Sequence, residues 1–278
     1  MNVFEIEKPD PFDLSQTLCC GQCFRFERLR ENVYEGVAFG MYVRIEQQDA
    51  HLRLFCPEGE AAVRLWTNFF DLQTDYARMA ASFREDAVLA EAARYSSGIR
   101  LLKQDRWEAL CSFIISQNNN IPRIKGIIAA ISRRYGTEVW RDAKGKAFYS
   151  FPSARALYDA GVDELYAMKT GFRAKYIYDA ARTVCENPGF LDETALLPTP
   201  DAVQRLKTVR GVGDKVAACA LLYGFSRYDA FPVDVWVKRV LTAYYPQGLT
   251  PPLSGPFAGL AQQYLFYYER CRNRVFLS

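Results

Sequence analysis

Between residues 22 and 56, apolar and polar side chains alternate through QCFRFERL, NVYEGVAF, MYVRIEQQ and AHLRLFC, with short breaks between the runs. A period of two places apolar groups on one face of a pleated strand, so this stretch predicts a set of strands joined by tight turns. From about residue 60 the spacing changes to three and four residues, in AAVRLWTNFF, YARMAASF, AVLAEAARY and WEALCSFIISQ. That period puts one apolar stripe along a helix. It continues in RIKGIIAAISRRYG, SARALYDAG, AKYIYDAARTVCEN, DAVQRLKTV, GDKVAACALLYGF, DVWVKRVLTAYY and GPFAGLAQQYLFYYER. Tyr135-Gly136, Phe151-Pro152, Asn187-Pro188-Gly189 and the prolines at 198 and 200 break the helices apart. The expected fold is α+β. A small antiparallel β-rich domain (1–97) precedes a mostly α-helical body (98–278), which carries a helix-hairpin-helix near 204–224.

Composition narrows the function classes without choosing one. The chain has 278 residues, half of them hydrophobic and 24% charged, which is ordinary for a globular protein. It contains no uninterrupted apolar run of the roughly eighteen residues that a membrane span requires, so no membrane partner is expected. The opening MNVFEIEKPDPFDL has no basic stretch followed by an apolar core, so no export signal is expected either. Eight cysteines are scattered, several inside apolar runs such as LCSFII and VAACALL, where free cysteine behaves as a small hydrophobe. A reduced cytoplasmic protein follows, nucleoid-associated if the source is bacterial. Cys20 and Cys23 form a C-x-x-C, but no second pair or histidine cluster completes a metal site. The single histidine, His51, lies in a strand pattern with no evident partner, which excludes histidine-based nucleophilic catalysis.

Net charge is only +3, yet charge is not evenly spread. From Arg205 to Arg239 there are seven basic residues against three acids. Within that stretch, LKTVRGVGDKVAACALLYGF reads as helix, tight turn and helix, the turn formed by Gly211, Val212 and Gly213. Glycines allow the backbone to come close to another surface, and the amides opening the second helix suit a phosphate. A plain αα-hairpin with a glycine-rich corner has the same pattern. Lys215 falls in the first turn of the second helix, where the positive end of the dipole favours the neutral, nucleophilic amine. Asp234 precedes the apolar run VWVKRV and is a natural N-cap, held ionised by backbone amides. A surface lysine and an ordinary cap would show the same spacing. Together, however, an amine and a carboxylate fit one chemistry. The carboxylate stabilises an oxocarbenium-like sugar while a glycosidic bond breaks, and the amine captures C1′ as a Schiff base that permits β-elimination of the 3′-phosphate.

Seven short stretches in this order resemble the 8-oxoguanine DNA glycosylase family of the helix-hairpin-helix DNA glycosylases. They are GQCFRF (21–26), GIRLLKQD (98–105), SFIISQNNNIPRI (112–124), GFRAKY (171–176), GVGDKVA (211–217), FPVDVW (231–236) and GPFAGLAQQYLF (255–266). The resemblance implies a bifunctional enzyme that excises 8-oxoguanine opposite cytosine from duplex DNA and nicks the abasic strand. It implies Lys215 as the Schiff-base nucleophile and Asp234 as the catalytic carboxylate. Asn118 would fill the gap left by the extruded nucleotide, Arg123 and Arg173 would contact the estranged cytosine, and Phe172 would wedge beside it. In the base pocket, the Gly21 carbonyl would accept from N7–H, Gln262 would read the Watson–Crick edge, and Phe266 and Cys219 would sandwich the ring. The partner implied is double-stranded DNA carrying 8-oxoguanine, bound by a monomer.

Two departures from the family pattern carry physical meaning. Arg210 precedes the hairpin where many relatives have proline, which adds a charge to the turn. Trp236 stands where animal relatives carry a histidine near the lesion's 5′ phosphate, and indole offers one donor and no charge. The chain also lacks the four closely spaced C-terminal cysteines with which endonuclease III-like members of the superfamily hold an iron–sulfur cluster, so no cofactor and no metal is expected. Two other readings remain open at this level: a glycosylase for another damaged purine, such as an alkylated one, and a non-catalytic DNA-binding protein. Lys215 weighs against the first, because monofunctional alkyl-base enzymes usually lack it.

Overall fold

The structure is a computed structural model that describes residues 1–57 and 59–272. Five strands, β1 (Asn2–Glu7), β2 (Phe26–Arg30), β3 (Val33–Ala38), β4 (Met41–Gln47) and β5 (His51–Cys56), form one antiparallel sheet in the order β1-β5-β4-β3-β2. The meander from β2 to β5 is the run that the alternating pattern predicts. The sheet also gains β1, whose NVFEIE alternates too but whose partner lies some fifty residues on, with Val3 opposite Phe55. A short helix, α1 (Leu14–Cys19), follows β1, and α2 (Ala61–Phe69) covers one sheet face with Trp66 and Phe69 against Phe26. All six residues of β3 are buried rather than alternating. Its second face is covered by a hairpin from the helical part, β6 (Glu138–Arg141) and β7 (Ala147–Tyr149), through which Trp140 stacks on Tyr42 and Lys146 pairs with Glu35 at 2.7 Å.

The helical body begins with α3 (Tyr76–Ala81) and α4 (Ala87–Tyr95). Their apolar faces join the helical core rather than the sheet's core, which ends at Leu72 and is rejoined only by Leu102. Two helices then form the centre: α5 (Arg106–Ser116), buried from Glu108 to Ile115, and, later in the chain, α11 (Asp214–Gly224), buried from Val216 onward. A Cβ on Gly224 would meet the Ala109 side chain at 2.8 Å, so the C-terminal end of α11 lies against the N-terminal part of α5. Their other ends meet as well, where Lys215 reaches Ser116. This antiparallel pair therefore sets the C-terminus of α5 beside the N-terminus of α11. Around it pack α6 (Ile121–Tyr135), α7 (Ala154–Leu165), α8 (Ala174–Glu186), α9 (Phe190–Leu196), α10 (Thr199–Leu206), α12 (Val235–Tyr244), α13 (Pro251–Ser254) and α14 (Ala258–Arg272). The β6–β7 hairpin and α9 are too short for periodicity to single out. Among the described residues, no helix is long and apolar enough to cross a membrane.

Candidate active site

The turn between α10 and α11 is built by two different demands on glycine. Gly211 adopts φ of +81°, and a Cβ there would sit 2.3 Å from the Tyr176 ring, so both its conformation and its contact exclude a side chain. Gly213 has ordinary extended backbone, caps α11, and has nothing within 4 Å of where a Cβ would point. Val212, between them, is buried and anchors the turn. Asp179 on α8 accepts from the Arg210 amide at 2.8 Å, and Lys207 pairs with Asp214 across the hairpin at 2.7 Å. The turn is thus fixed from below and open above.

Lys215, in the first turn of α11, points its amine toward α5. Its Nζ donates to Ser116 Oγ at 3.1 Å and lies 5.4 Å from the centre of the Phe113 ring. Asp234 is the N-cap of α12, its Oδ1 accepting from the Val237 amide at 2.8 Å. Both side chains line two spaces at once. One is an outer groove of about 650 Å³ between the Ser116–Asn119 loop and Val233–Lys238. The other is an inner cavity of about 50 Å³ whose walls include Gly21, Cys219, Gln262 and Phe266. That inner volume holds no more than a few waters. The amine and the carboxylate stand at the neck between groove and cavity.

All four residues expected to form a base pocket therefore come together, from segments more than two hundred positions apart. Gly21 has φ of +91°, and its bare Cα lets Phe266 close to within 3.5 Å of the position a Cβ would take. Burial pushes the Cys219 thiol above its ordinary value, while the neighbouring Lys215 amine opposes the shift. Gln262 is buried with its Oε1 unpartnered among the described residues. The adjacent Gln263 differs: it receives a short hydrogen bond from the Tyr223 hydroxyl and donates to the Cys20 carbonyl at 3.4 Å. One glutamine is structural and the other has an acceptor to offer. Phe113, Ser116, Tyr223 and Gln263 are site residues that sequence reasoning missed. The only local signal was the position of Ser116, directly before QNNN at the end of a helix.

The residues expected at the opposite strand form a second group beside the groove. Asn118 is exposed with φ of +46°, while its neighbour Asn120 caps α6 by accepting from the Arg123 amide at 3.0 Å. Arg123 is exposed, with Nη2 3.5 Å from the Lys169 carbonyl. Arg173 is 2% exposed, and its guanidinium donates to the carbonyls of Gln117, Asn118 and Thr170. Burial, aided by the nearby Arg123, holds its pKa below the ordinary arginine value. Arg173 thus builds the Asn118 loop. Phe172 is 48% exposed, with the Arg173 guanidinium 4.4 Å over its ring and a T-shaped contact to the Tyr176 ring. Because Tyr176 also fills the hollow of Gly211, the aromatic tip and the hairpin are one continuous surface. On the far side, the Arg239 guanidinium lies 4.9 Å over Trp236, giving the indole the positive charge it lacks.

Comparison with known proteins identifies the family. Residues 4–110 match the N-terminal domain of 8-oxoguanine DNA glycosylase, and residues 111–250 match the HhH-GPD superfamily of base excision DNA repair proteins. The chain is 30% identical over 291 residues to an N-glycosylase/DNA lyase of Arabidopsis thaliana, covering 95% of this chain and 79% of that protein. Its fold superposes with a TM-score of 0.89 and 33% identity on the Clostridium acetobutylicum 8-oxoguanine glycosylase/lyase, covering 98% of this chain and 99% of the other. That relative was captured on double-stranded DNA with cytosine opposite the lesion. A 3-methyladenine DNA glycosylase of Archaeoglobus fulgidus shares the fold alone, with a TM-score of 0.74 at 20% identity.

Proposed function

The chain belongs to the 8-oxoguanine DNA glycosylase family of helix-hairpin-helix base excision repair proteins, and from that membership we propose how its site divides the labour. The protein is a DNA N-glycosylase with lyase activity that acts on 8-oxoguanine. The observation that carries the reading of the site is that Lys215 and Asp234 stand together at the neck between the outer groove and the inner cavity. A nucleotide turned out of the duplex would place its sugar at that neck, with the phosphates in the groove and the base in the cavity. The cavity must widen to admit a purine, and Phe266 is the half-buried wall on its far side.

As the C1′–N9 bond lengthens, its electron pair leaves with the base and positive charge grows on the sugar. The Asp234 carboxylate, fixed by the Val237 amide, stabilises that charge. The Lys215 amine attacks C1′ and forms an iminium by opening the sugar ring. The iminium acidifies the C2′ proton; its removal sends the electron pair through C2′–C3′ and expels the 3′-phosphate, which nicks the strand. Gln262 Oε1 is available to accept from the Watson–Crick edge of the base, and Gly21 contributes the carbonyl for N7–H. On the other strand, Arg123 and the remaining donor of Arg173 face the cytosine left without its partner, Asn118 fills the gap, and Phe172 wedges the stack. The hairpin at Gly211–Gly213 grips phosphate without reading sequence. Eight free cysteines suit a reduced compartment, where the protein acts as a monomer on chromosomal DNA.

Borohydride reduction during reaction with an 8-oxoguanine:cytosine duplex tests the chemistry. A covalent protein–DNA adduct attached at Lys215 is the expected result. Base release without any trapped adduct would require a water nucleophile instead.

A further inference from the structure

Gly21 and Phe266 form one wall of the inner cavity, and Arg270 packs behind it against both. A Cβ on Gly21 would lie 3.3 Å from Arg270 Nη1 and 3.5 Å from Phe266 Cε1, so the absent side chain is what lets a guanidinium and an aromatic ring close on the same peptide. Gln262, Phe266 and Arg270 follow one another at four-residue intervals on α14 and therefore share a helix face. Helical side chains lean toward the N-terminus, which brings the long Arg270 side chain back beside Phe266, its guanidinium 5.9 Å from the ring centre. Arg270 Nη1 is fully buried and has no hydrogen-bond partner among the described residues. Gln262 Oε1 is in the same condition one turn before the ring. One helix face thus offers an unpaired acceptor, an aromatic surface and an unpaired donor. Leaving such buried groups unpaired is unfavourable, and a ligand with a donor at one end and an acceptor at the other would satisfy both.

Building on the 8-oxoguanine reading above, we propose that Arg270 reads the lesion directly: as the Phe266 wall gives way to admit the base, Nη1 is uncovered and donates a hydrogen bond to O8 of the flipped base. The charge always present on arginine strengthens that bond. Oxidation changes two neighbouring atoms of guanine, adding hydrogen at N7 and oxygen at C8. The Gly21 carbonyl answers the first and Arg270 the second. Guanine, with hydrogen on C8, leaves the Arg270 donor unpaired and is disfavoured at both points.

The test compares wild-type protein with Arg270→Met, which keeps an unbranched apolar stem and removes every donor. Single-turnover rates are measured on duplexes carrying 8-oxoguanine, 8-aminoguanine or a preformed abasic site, each opposite cytosine. Excision of 8-oxoguanine by Arg270→Met should fall about ten- to hundredfold, the range of a charge-assisted hydrogen bond. Relative to abasic nicking, excision of 8-aminoguanine, which presents a donor at position 8, should not fall in parallel. Full-rate excision of 8-oxoguanine by Arg270→Met overturns the assignment. So does an equal loss on all three duplexes together with a lowered melting temperature, which would make Arg270 a packing residue. If wild-type protein nicks abasic DNA but leaves 8-oxoguanine in place, the substrate reading falls and takes this assignment with it.

Discussion

The Lys215 amine is tethered to Ser116 Oγ at 3.1 Å, while the Asp234 carboxylate is committed to the Val237 amide. The two groups assigned to the chemistry thus each rest on a neutral partner. The Ser116 hydroxyl in turn donates to the Phe113 carbonyl at 2.8 Å, so it can offer the lysine only a lone pair. An amine held this way is aimed without being locked in an ion pair. Lys215→Gln keeps a polar side chain within reach of Ser116 and should leave melting temperature and lesion-DNA affinity close to wild type. Borohydride trapping and strand nicking should drop by orders of magnitude. Normal trapping in the variant would show that another amine does the work.

Asp234→Asn separates the cap from the charge. Asparagine caps helices about as well as aspartate, so stability should change by no more than about 1 kcal/mol. Base release should nevertheless slow by something like 10²–10³-fold, the scale on which loss of one fixed electrostatic contact acts in an active site. Thermal melts and single-turnover excision, run side by side, decide it: a large loss of stability with full activity would reverse the assignment.

Arg123 and Arg173 should respond differently although both are assigned to the estranged cytosine. Arg123 is exposed, so Arg123→Ala should reduce the preference for cytosine over adenine opposite the lesion, which is expected at about tenfold or more, with little change in stability. Arg173 is buried and bonded to the carbonyls of Gln117, Asn118 and Thr170. Arg173→Ala should lose the same preference and also lower the melting temperature. Excision panels against all four opposing bases would refute both roles if each variant kept the full cytosine preference.

The two hairpin glycines offer a contrast that separates folding from binding. Gly211→Ala forces a Cβ into the Tyr176 ring at φ of +81°, which should cost about 2–4 kcal/mol. Gly213→Ser keeps a capping residue and meets no protein atom, so its stability should be unchanged. Its side chain would instead occupy the space a DNA phosphate needs. Affinity for undamaged and lesion duplexes should weaken alike, whereas a change confined to lesion DNA would place this turn in base recognition.

Glu108 makes stability depend on pH. Burial outweighs the attraction of Arg25, 3.3 Å away, and raises its carboxyl from 4.5 to about 7. A raised acid binds its proton more tightly in the folded state, so its favourable contribution is complete below about pH 4.5 and is lost as pH rises toward 7. The loss amounts to about 1–3 kcal/mol. Glu108→Gln should therefore gain stability relative to wild type between pH 5 and pH 8, measured by denaturant melts across that range. A constant difference between the two proteins would mean that Glu108 does not titrate there.

Much of this protein can be read along the chain. Broad alternation through β2 to β5 and three-to-four spacing in the long helices are local signals that needed no knowledge of the fold. The hairpin, Lys215 and Asp234 were legible for the same reason, since glycine turns and helix caps are written in adjacent residues. The sequence left β1 unassigned, because its partner β5 is distant, and left β3 as half-exposed, because the hairpin that covers its second face comes a hundred residues later. The pocket is the strongest case. Nothing near Gly21 announces that Phe266 and Arg270 will press on it, nor that Ser116 will receive the Lys215 amine. Those contacts exist because α5 and α11 run antiparallel through the core and α14 packs alongside α11, with Gly259 against Leu222 and Gln263 bonded to Tyr223. Burial of apolar surface drives that packing without regard to distance along the chain, so only the tertiary structure decides which polar atoms are carried in with it and left facing a cavity.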